Sequence, residues 1–298
     1  FNNKYFIEYL IQNFSKYNFN KIYILAGYRS QSIIKKFDKK TYNFIKIECL
    51  KEKKLLGTGG ALYNLKKKKI NDFVLLNGDT IFDINLKHLI KSIKKNTLAS
   101  IALIKNTSNK KNKKLNNLKL SNNHLSYDKN GVFMNGGIYY FKKKIFKYIE
   151  NTKKSLENDI LPNLIQKKII TGKKFTNFFF DIGTPKNFKR ANKLLYNHFR
   201  RPAVFLDRDG VINHDKGYVH NKNNFKFRPG VLKGLKLLND KNYYIFIVTN
   251  QAGIAKKIFS LNDFNKLHIF LKQKLQTKDI FIDDVSFSPF HPNAKVKK

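Results

Sequence analysis

The chain has 298 residues, a formal net charge of +40 at pH 7 and one cysteine, and 42% of its residues are hydrophobic. A single cysteine, Cys49, excludes a disulfide framework and a cysteine-rich zinc site. No apolar run is long enough for a membrane helix, and no signal peptide is recognisable, so we expect a cytoplasmic protein. The length suggests two domains, and the hydrophobic content is sufficient for buried cores.

The positive charge does not by itself predict nucleic-acid binding. The excess is lysine rather than arginine, and it accompanies abundant Asn, Ile, Phe and Tyr, which share AT-rich codons. The lysine runs 66–69 and 110–114 lie between periodic segments, where solvated loops and helix ends are expected. We therefore expect no specific nucleic-acid partner, no membrane partner, and only incidental polyanion binding at low salt.

Helices and strands alternate along the first two thirds of the chain. Apolar periodicity predicts helices over residues 6–14, 32–37, 86–93 and 186–200, and strands over 21–25, 44–49, 73–76, 100–104, 137–141 and 178–180. Residues 106–130, rich in Asn and Lys, predict an excursion of short antiparallel strands. The alternation predicts an α/β domain with a mostly parallel sheet and helices on both faces.

Polar residues follow the predicted strands at two places in this half. Asp79 and Asp181 each come after an apolar run, at a strand end where a metal-bound triphosphate could lie between them. Gly57, Gly59 and Gly60 lack side chains, so the backbone could approach a ligand there, and the helix after them would offer N–H groups to a base or a phosphate. Ordinary turn chemistry would explain any one of these motifs alone.

In order and spacing, the motifs of residues 1 to about 195 resemble those of the sugar-1-phosphate nucleotidyltransferases. The motifs are LLGTGGAL at 55–62, LNGD at 76–79, NGGIYYF at 135–141, SLENDILP at 155–162 and FFFDIGTP at 178–185. The resemblance implies these site residues: Asp79 and Asp181 for Mg²⁺, Gly59 and Gly60 for the nucleobase, and Asn135, Gly137 and Glu157 for the sugar phosphate.

One departure from this family concerns its N-terminal segment. The family opens with a strand, a Gly-rich loop that carries an arginine and wraps the triphosphate, and a Pro-Lys-Pro segment. In this chain, Phe1 occupies the position at which the helix after that segment should begin. We therefore expect half of this active site to lie outside the chain.

Beyond a junction at Arg201-Pro202, an apolar run at 204–206 leads into Asp207, Arg208 and Asp209. Two carboxylates this close repel each other unless a cation lies between them. A divalent metal and a nucleophilic carboxylate suit phosphoryl transfer through an aspartyl-phosphate. A simple turn after an edge strand is the alternative.

A helical pattern at 231–238 and a second apolar run at 243–248 complete a predicted βαβ unit. Both of its parallel strands end at the same sheet edge, so Thr249 is expected to face Asp207. A hydroxyl group and neighbouring backbone N–H groups at that position could bind a phosphate.

Residues 202–298 resemble the haloacid-dehalogenase-like phosphatases, and among them the D-glycero-D-manno-heptose 1,7-bisphosphate phosphatases. The closer likeness lies in DKGYVH at 215–220, NFKF at 224–227 and TNQAGIA at 249–255. It implies that Asp207 attacks phosphorus and that Asp209 protonates the leaving group and later activates water. The implied phosphate ligands are Thr249 and Asn250, and the implied Mg²⁺ ligands are Asp207 and Asp209.

This second likeness also has departures. The family's later lysine and its later metal-binding aspartates would lie beyond Lys298. Relatives often carry Cys-Pro-His-His-Pro as half of a zinc loop, whereas this chain has Ser288 and Phe290 at the ligand positions. We therefore expect no zinc, and we interpret His291 as a surface histidine.

Together the two halves predict an α/β fusion of two Rossmann-like domains, a nucleotidyltransferase-like one at 1–198 and a phosphatase-like one at 199–298. The predicted function is bifunctional heptose activation, in which a phosphatase produces heptose 1-phosphate and a nucleotidyltransferase joins it to a nucleoside triphosphate. The alternatives are a histidinol-phosphatase-like domain fused to a mannose- or glucose-1-phosphate nucleotidyltransferase, or a non-catalytic fragment. The nucleotide, the anomer and the oligomeric state stay open.

Overall fold

The alternation of helices and strands that the periodicity predicts is present in the computed structural model, which describes residues 3–106, 117–122 and 124–292. The helices are α1 Phe6–Ser15, α2 Gln31–Phe37, α3 Gly57–Ala61, α4 Tyr63–Lys66, α5 Leu86–Lys91, α6 Leu161–Gln166, α7 Pro185–Phe199, α8 Val231–Asp240, α9 Ala252–Ala255 and α10 Leu261–Thr277. The strands are β1 Lys21–Ala26, β2 Thr41–Tyr42, β3 Ile45–Lys51, β4 Phe73–Leu76, β5 Thr80–Phe82, β6 Ala99–Lys105, β7 Leu118–Ser121, β8 His124–Tyr127, β9 Phe133–Phe141, β10 Ile170–Lys174, β11 Phe179–Asp181, β12 Ala203–Leu206, β13 Tyr244–Asn250 and β14 Asp284–Ser288. The lysine run at 110–114 lies outside the described residues.

The chain divides into two compact units. Unit 1 comprises Phe1–Ile7, Tyr23–Asp38 and Cys49–Asn192, and unit 2 comprises Glu8–Ile22, Lys39–Glu48 and Lys193–Lys298. Two short segments of the N-terminal half therefore belong to the same unit as the C-terminal hundred residues.

A six-stranded sheet in the order β4-β9-β6-β10-β8-β7 forms the centre of unit 1. The α/β class is as predicted, and β6 and β10 pair in parallel. In contrast, β9 runs antiparallel to both of its neighbours. It follows the β7–β8 hairpin rather than a crossover helix, and only a crossover connection returns a chain to a parallel position. Residues such as Ile101, Leu103 and Phe141 of this sheet are completely buried in its core.

Unit 2 contains a fully parallel three-stranded sheet in the order β12-β13-β14. This arrangement confirms the βαβ unit, because α8 connects β12 to β13 and packs Leu235 into the same core as Ile245 and Ile247. The C-terminal ends of β12 and β13 consequently meet at one edge. Among the described residues, no helix has the length and hydropathy needed to cross a membrane.

Helix α10 of unit 2 carries a buried lysine. Lys272 is 4% exposed, and its ammonium group donates a hydrogen bond to the Ser15 carbonyl oxygen at 2.8 Å. Burial lowers the pKa of Lys272 from 10.5 to about 8, although the negative charge of Asp284 acts in the opposite direction.

This lysine should make the stability of the protein depend on pH. Between about pH 8 and pH 10.5 the unfolded chain keeps the Lys272 proton while the folded chain releases it, so folding becomes more favourable as the pH rises. We expect the free energy of unfolding of the wild type, relative to Lys272→Met, to increase across this interval in denaturant titrations. Lys266→Met, at an exposed position of the same helix, is measured alongside as the matched control for replacing a lysine by methionine. A constant difference between wild type and Lys272→Met would contradict the prediction.

Candidate active sites

Strand pairing in unit 1 brings Asp79 and Asp181 together. Strands β5 and β11 are antiparallel with Asp181 opposite Thr80, and the Ile182 N–H donates to the Asp79 carbonyl oxygen at 2.9 Å. Both carboxylates face Gly183, where an added Cβ would lie 2.9 Å from Asp181 Oδ1 and 3.4 Å from Asp79 Oδ2. Two carboxylate oxygens therefore converge above one glycine.

These two carboxylates fit a magnesium ion. Mg²⁺ prefers hard oxygen ligands and is commonly held by one or two carboxylates together with substrate phosphates. Within residues 3–106, 117–122 and 124–292, no group of three or more His, Cys, Asp or Glu side chains is arranged to hold a metal. Substrate phosphates and water are the usual further ligands of a magnesium ion that one or two carboxylates hold.

The glycine-rich turn packs against the segment 152–160, which we call the sugar loop. The N–H groups of Gly59 and Gly60 both donate to the Lys154 carbonyl oxygen, at 2.9 and 3.2 Å. An added Cβ on Gly59 would lie 2.5 Å from Ile160 Cδ1, and Gly57 has φ = +73°. Close packing thus accounts for these glycines, and the N–H groups of Gly59 and Gly60 are engaged within the chain. Contact of the turn with a nucleobase stays a prediction.

The three predicted sugar-phosphate residues lie in one hydrogen-bonded group. The Gly137 N–H donates to Asn135 Oδ1 at 3.0 Å, and the Asn135 amide donates to the Tyr139 hydroxyl at 2.6 Å. Tyr139 in turn donates to Glu157 Oε1 at 3.4 Å. Burial, together with the negative charge of Glu157, raises the pKa of Tyr139 far above its ordinary value, so its hydroxyl keeps its proton and remains a donor.

Tyr139 was not identified from the sequence. It lies inside an apolar run on β9, and packing in the hydrophobic core is the usual explanation for an aromatic residue in such a run. The signal is its place in the NGGIYYF motif, since Tyr139 follows Asn135 by four residues on the same strand and accepts a hydrogen bond from the Asn135 amide.

In unit 2, a fully buried guanidinium group organises the second candidate site. Arg208 has no exposed surface, and it donates to Asp209 through Nε at 3.2 Å and through Nη2 at 2.7 Å. The same Nη2 also donates to the Val219 carbonyl oxygen at 2.7 Å and to Gln251 Oε1 at 3.0 Å. A loop and the end of a neighbouring strand are thereby fixed around one charge.

The Asp209 carboxylate accepts hydrogen bonds from three side chains. Besides Arg208, the Asn213 amide donates to Oδ1 at 2.9 Å and the Gln251 amide donates to Oδ2 at 3.0 Å. Burial disfavours the ionised form, but the Arg208 hydrogen bonds and charge, aided by the two amides, outweigh burial and hold the pKa of Asp209 below its ordinary value. Asp209 is therefore ionised in this conformation.

Thr249 joins the same network. It is 5% exposed, and its Oγ1 accepts a hydrogen bond from the Gln251 amide at 2.9 Å. The hydroxyl proton is not used by that bond, so it can be donated to a phosphate oxygen. Asn250 is the exposed last residue of β13. Asp207 is linked to the network through its Oδ1, which accepts the Arg208 N–H at 2.6 Å.

This geometry does not fit a magnesium ion on the Asp209 side chain. Both of its oxygens already accept hydrogen bonds, and the cation beside them is a guanidinium group that would repel a second one. The Asp207 carboxylate has an oxygen with no such bond to Arg208 and is the better of the two candidates. The sequence did not predict that Arg208, Asn213 and Gln251 would hold Asp209, although Gln251 lies within the TNQ motif.

An α/β fold that gathers carboxylates at strand ends is an architecture in which nucleotides and phosphate esters are bound. Residues 1–198 match the Nucleotidyl transferase family, and the chain belongs to that family. A solved structure, HddC from Yersinia pseudotuberculosis complexed with GMP-PN, has the same fold with a TM-score of 0.53 and 24% identity, and the alignment covers 64% of this chain and 86% of that one.

The C-terminal region is similar to curated phosphatases. D-glycero-beta-D-manno-heptose-1,7-bisphosphate 7-phosphatase of Rhodopseudomonas palustris is 46% identical over 92 residues, which are 31% of this chain and 51% of that protein. The Haemophilus influenzae protein of the same name is 42% identical over 93 residues, covering 31% of this chain and 50% of the relative. The chain thus spans about half the length of the curated relatives it matches.

The packing of the glycine turn makes a prediction about Gly60. A Cβ added there would lie 2.5 Å from Leu56 Cβ and would also collide with the Thr152 carbonyl oxygen. We expect Gly60→Ala to destabilise the protein by roughly 1–3 kcal/mol in denaturant titrations, although alanine is the better helix former. The matched control is Gly78→Ala, because a Cβ there meets nothing within 4 Å. Equal stabilities for the two variants would show that the turn is not closely packed.

Proposed function

We propose that the protein activates a heptose in two consecutive reactions. Residues 199–298 form the part that removes the 7-phosphate from D-glycero-D-manno-heptose 1,7-bisphosphate. Residues 1–198 form the part that joins the resulting heptose 1-phosphate to a nucleoside triphosphate. The observation that carries the proposal is the presence in one chain of the Nucleotidyl transferase family and of a segment 46% identical to a heptose-bisphosphate phosphatase. The product of one reaction is the substrate of the other.

In the proposed phosphatase reaction, a carboxylate oxygen of Asp207 attacks phosphorus. The bond from phosphorus to the C7 oxygen breaks, and Asp209 supplies the proton that the departing alkoxide takes up. Water then attacks the aspartyl-phosphate, gives its proton to Asp209, and releases inorganic phosphate. The Thr249 hydroxyl donates to a phosphate oxygen in both steps.

The hydrogen bonds that Asp209 accepts favour the second of these two steps over the first. Its ionised form, which Arg208 stabilises, is the form that takes a proton from water. Proton donation requires the carboxylic acid, so the Arg208–Asp209 contact opposes the first step. We infer that this contact weakens when the bisphosphate binds.

In the proposed nucleotidyl transfer, the phosphate of heptose 1-phosphate attacks the α-phosphorus of the nucleotide and displaces pyrophosphate. Magnesium held by Asp79 and Asp181 would neutralise part of the triphosphate charge. Asn135 forms hydrogen bonds with the sugar hydroxyls, and Glu157 accepts a hydrogen bond from one of them. The proposed substrate is a nucleoside triphosphate, and the use of such a substrate is consistent with a location in the cytoplasm.

The two activities should be separable by mutation, because they use carboxylates on different sheets. In the protein that carries this chain, we expect Asp79→Asn to abolish pyrophosphate release while phosphate release from the bisphosphate continues. Asp207→Asn should have the reverse effect. Pyrophosphate and phosphate are measured separately with GTP, ATP, CTP and UTP, and histidinol phosphate is offered as the competing phosphatase substrate. Loss of both activities in either variant, with an unchanged circular dichroism spectrum, would refute the assignment.

The role of Asp209 can be tested through the leaving group. Asp209→Asn keeps the shape of the side chain and loses the proton. A sugar alkoxide needs that proton to depart, whereas the anion of p-nitrophenol does not. We expect rapid-quench measurements on this variant to show much slower aspartyl-phosphate formation with the sugar bisphosphate than with p-nitrophenyl phosphate. Equal slowing with the two substrates would indicate that Asp209 has a structural role and is not the acid.

A further inference from the structure

The glycine turn and the sugar loop of unit 1 are joined by a set of short hydrogen bonds. The Lys154 carbonyl oxygen accepts from the turn, and the Lys154 N–H donates to the Leu56 carbonyl oxygen at 2.9 Å. These backbone bonds place the side chain of Thr58 beside Leu156, in the middle of the sugar loop and 98 residues further along the chain.

The Thr58 hydroxyl group uses both of its hydrogen-bonding functions there. Its oxygen accepts the Leu156 N–H at 2.8 Å, and its proton is donated to Glu157 Oε2 at 2.8 Å. Because the accepted bond occupies one side of the oxygen, the hydroxyl proton is directed to the carboxylate. Thr58 therefore connects the start of the π-helical turn Leu156–Ile160 with the side chain of Glu157.

The two oxygens of Glu157 are bound unequally. Oε2 receives the Thr58 hydroxyl at 2.8 Å and the Ser155 hydroxyl at 3.3 Å. Oε1 receives a long bond from Tyr139, at 3.4 Å. A carboxylate has about four lone-pair sites, so Oε1 retains the capacity to accept a further hydrogen bond from a ligand hydroxyl.

We propose that Thr58 is a positioning residue for sugar binding: it fixes Glu157 Oε2 so that Oε1 is presented to a hydroxyl group of the sugar 1-phosphate. The proposal rests on the proposed function, since it supplies the means by which that site selects a polyhydroxylated substrate. Without the hydrogen bond from Thr58, the half-exposed Glu157 side chain would sample several rotamers. Substrate binding would then have to restrict these rotamers, which lowers the affinity.

The test is isothermal titration calorimetry, in which the purified protein that carries this chain is titrated with D-glycero-D-manno-heptose 1-phosphate. Thr58→Val removes the hydroxyl at nearly constant volume, and we expect it to weaken binding about two- to tenfold, the typical cost of immobilising one flexible side chain on binding. Thr58→Ser keeps the hydroxyl and should bind like the wild type. Thr58→Ala makes the same comparison if valine impairs folding.

A double-mutant cycle with Glu157→Gln separates positioning from a general effect on the loop. If Thr58 acts through the carboxylate, Thr58→Val should weaken binding much less in the Glu157→Gln background than in the wild type. The same fold-loss in both backgrounds, or wild-type affinity in Thr58→Val, overturns this inference and leaves the proposed function intact. A wild-type chain that binds no heptose 1-phosphate overturns both.

Discussion

The burial of the Arg208 guanidinium is the constraint on which the C-terminal site depends. A cation without exposed surface is strongly destabilising unless charge and hydrogen bonds compensate it. Here the compensation comes from Asp209, the Val219 carbonyl oxygen and Gln251. Since these groups belong to the β12 end, a surface loop and the β13 end, satisfying one charge fixes the relative positions of all three segments.

The positive charge of Arg208 also affects residues of helix α10. The ring of Phe264 lies 5.9 Å from the Arg208 guanidinium carbon, and His268 is buried one turn further along the helix. Burial, with the Arg208 charge, lowers the pKa of His268 to about 3, so this histidine is neutral at physiological pH. The surroundings of Arg208 thus include the ring of Phe264, the neutral His268 and the Asp209 carboxylate, and such groups suit a buried positive charge.

Local patterns predicted the elements well and their partners poorly. Apolar periodicity located β4, β11, β12 and β13. The polar residues at or just after their ends, Asp79, Asp181, Asp207 and Thr249, follow because polar residues end buried strands. The antiparallel direction of β9 depends on the β7–β8 hairpin, which the composition of 106–130 only suggested. The burial of Arg208 between two aspartates was not predictable, because its compensating partner Gln251 is 43 residues away. For the same reason the contact of Thr58 with Glu157, at a separation of 99 residues, has no local signal.

The glycine turn shows how one sequence signal has two physical explanations. Glycine permits a ligand to approach the backbone, and it equally permits another part of the chain to do so. At Gly59 and Gly60 the sugar loop takes that position, and the Lys154 carbonyl oxygen occupies the donors that a ligand would have used. A glycine motif by itself therefore does not decide whether its residues contact a substrate or support the residues that do.

In the proposed phosphatase reaction, the substrate itself resolves the conflict over the Asp209 proton. Arg208 and two amides favour the carboxylate when no phosphate is present. A phosphate dianion bound beside Asp207 and Thr249 adds negative charge next to Asp209, and a neighbouring negative charge raises the pKa of a carboxyl group. The phosphate also competes for the donors that now stabilise the carboxylate. When the phosphoryl group has moved to Asp207 and the alcohol has left, Asp209 has given its proton to the leaving group. The contact with Arg208 then again favours the ionised form of Asp209, which is the base that the hydrolytic step requires.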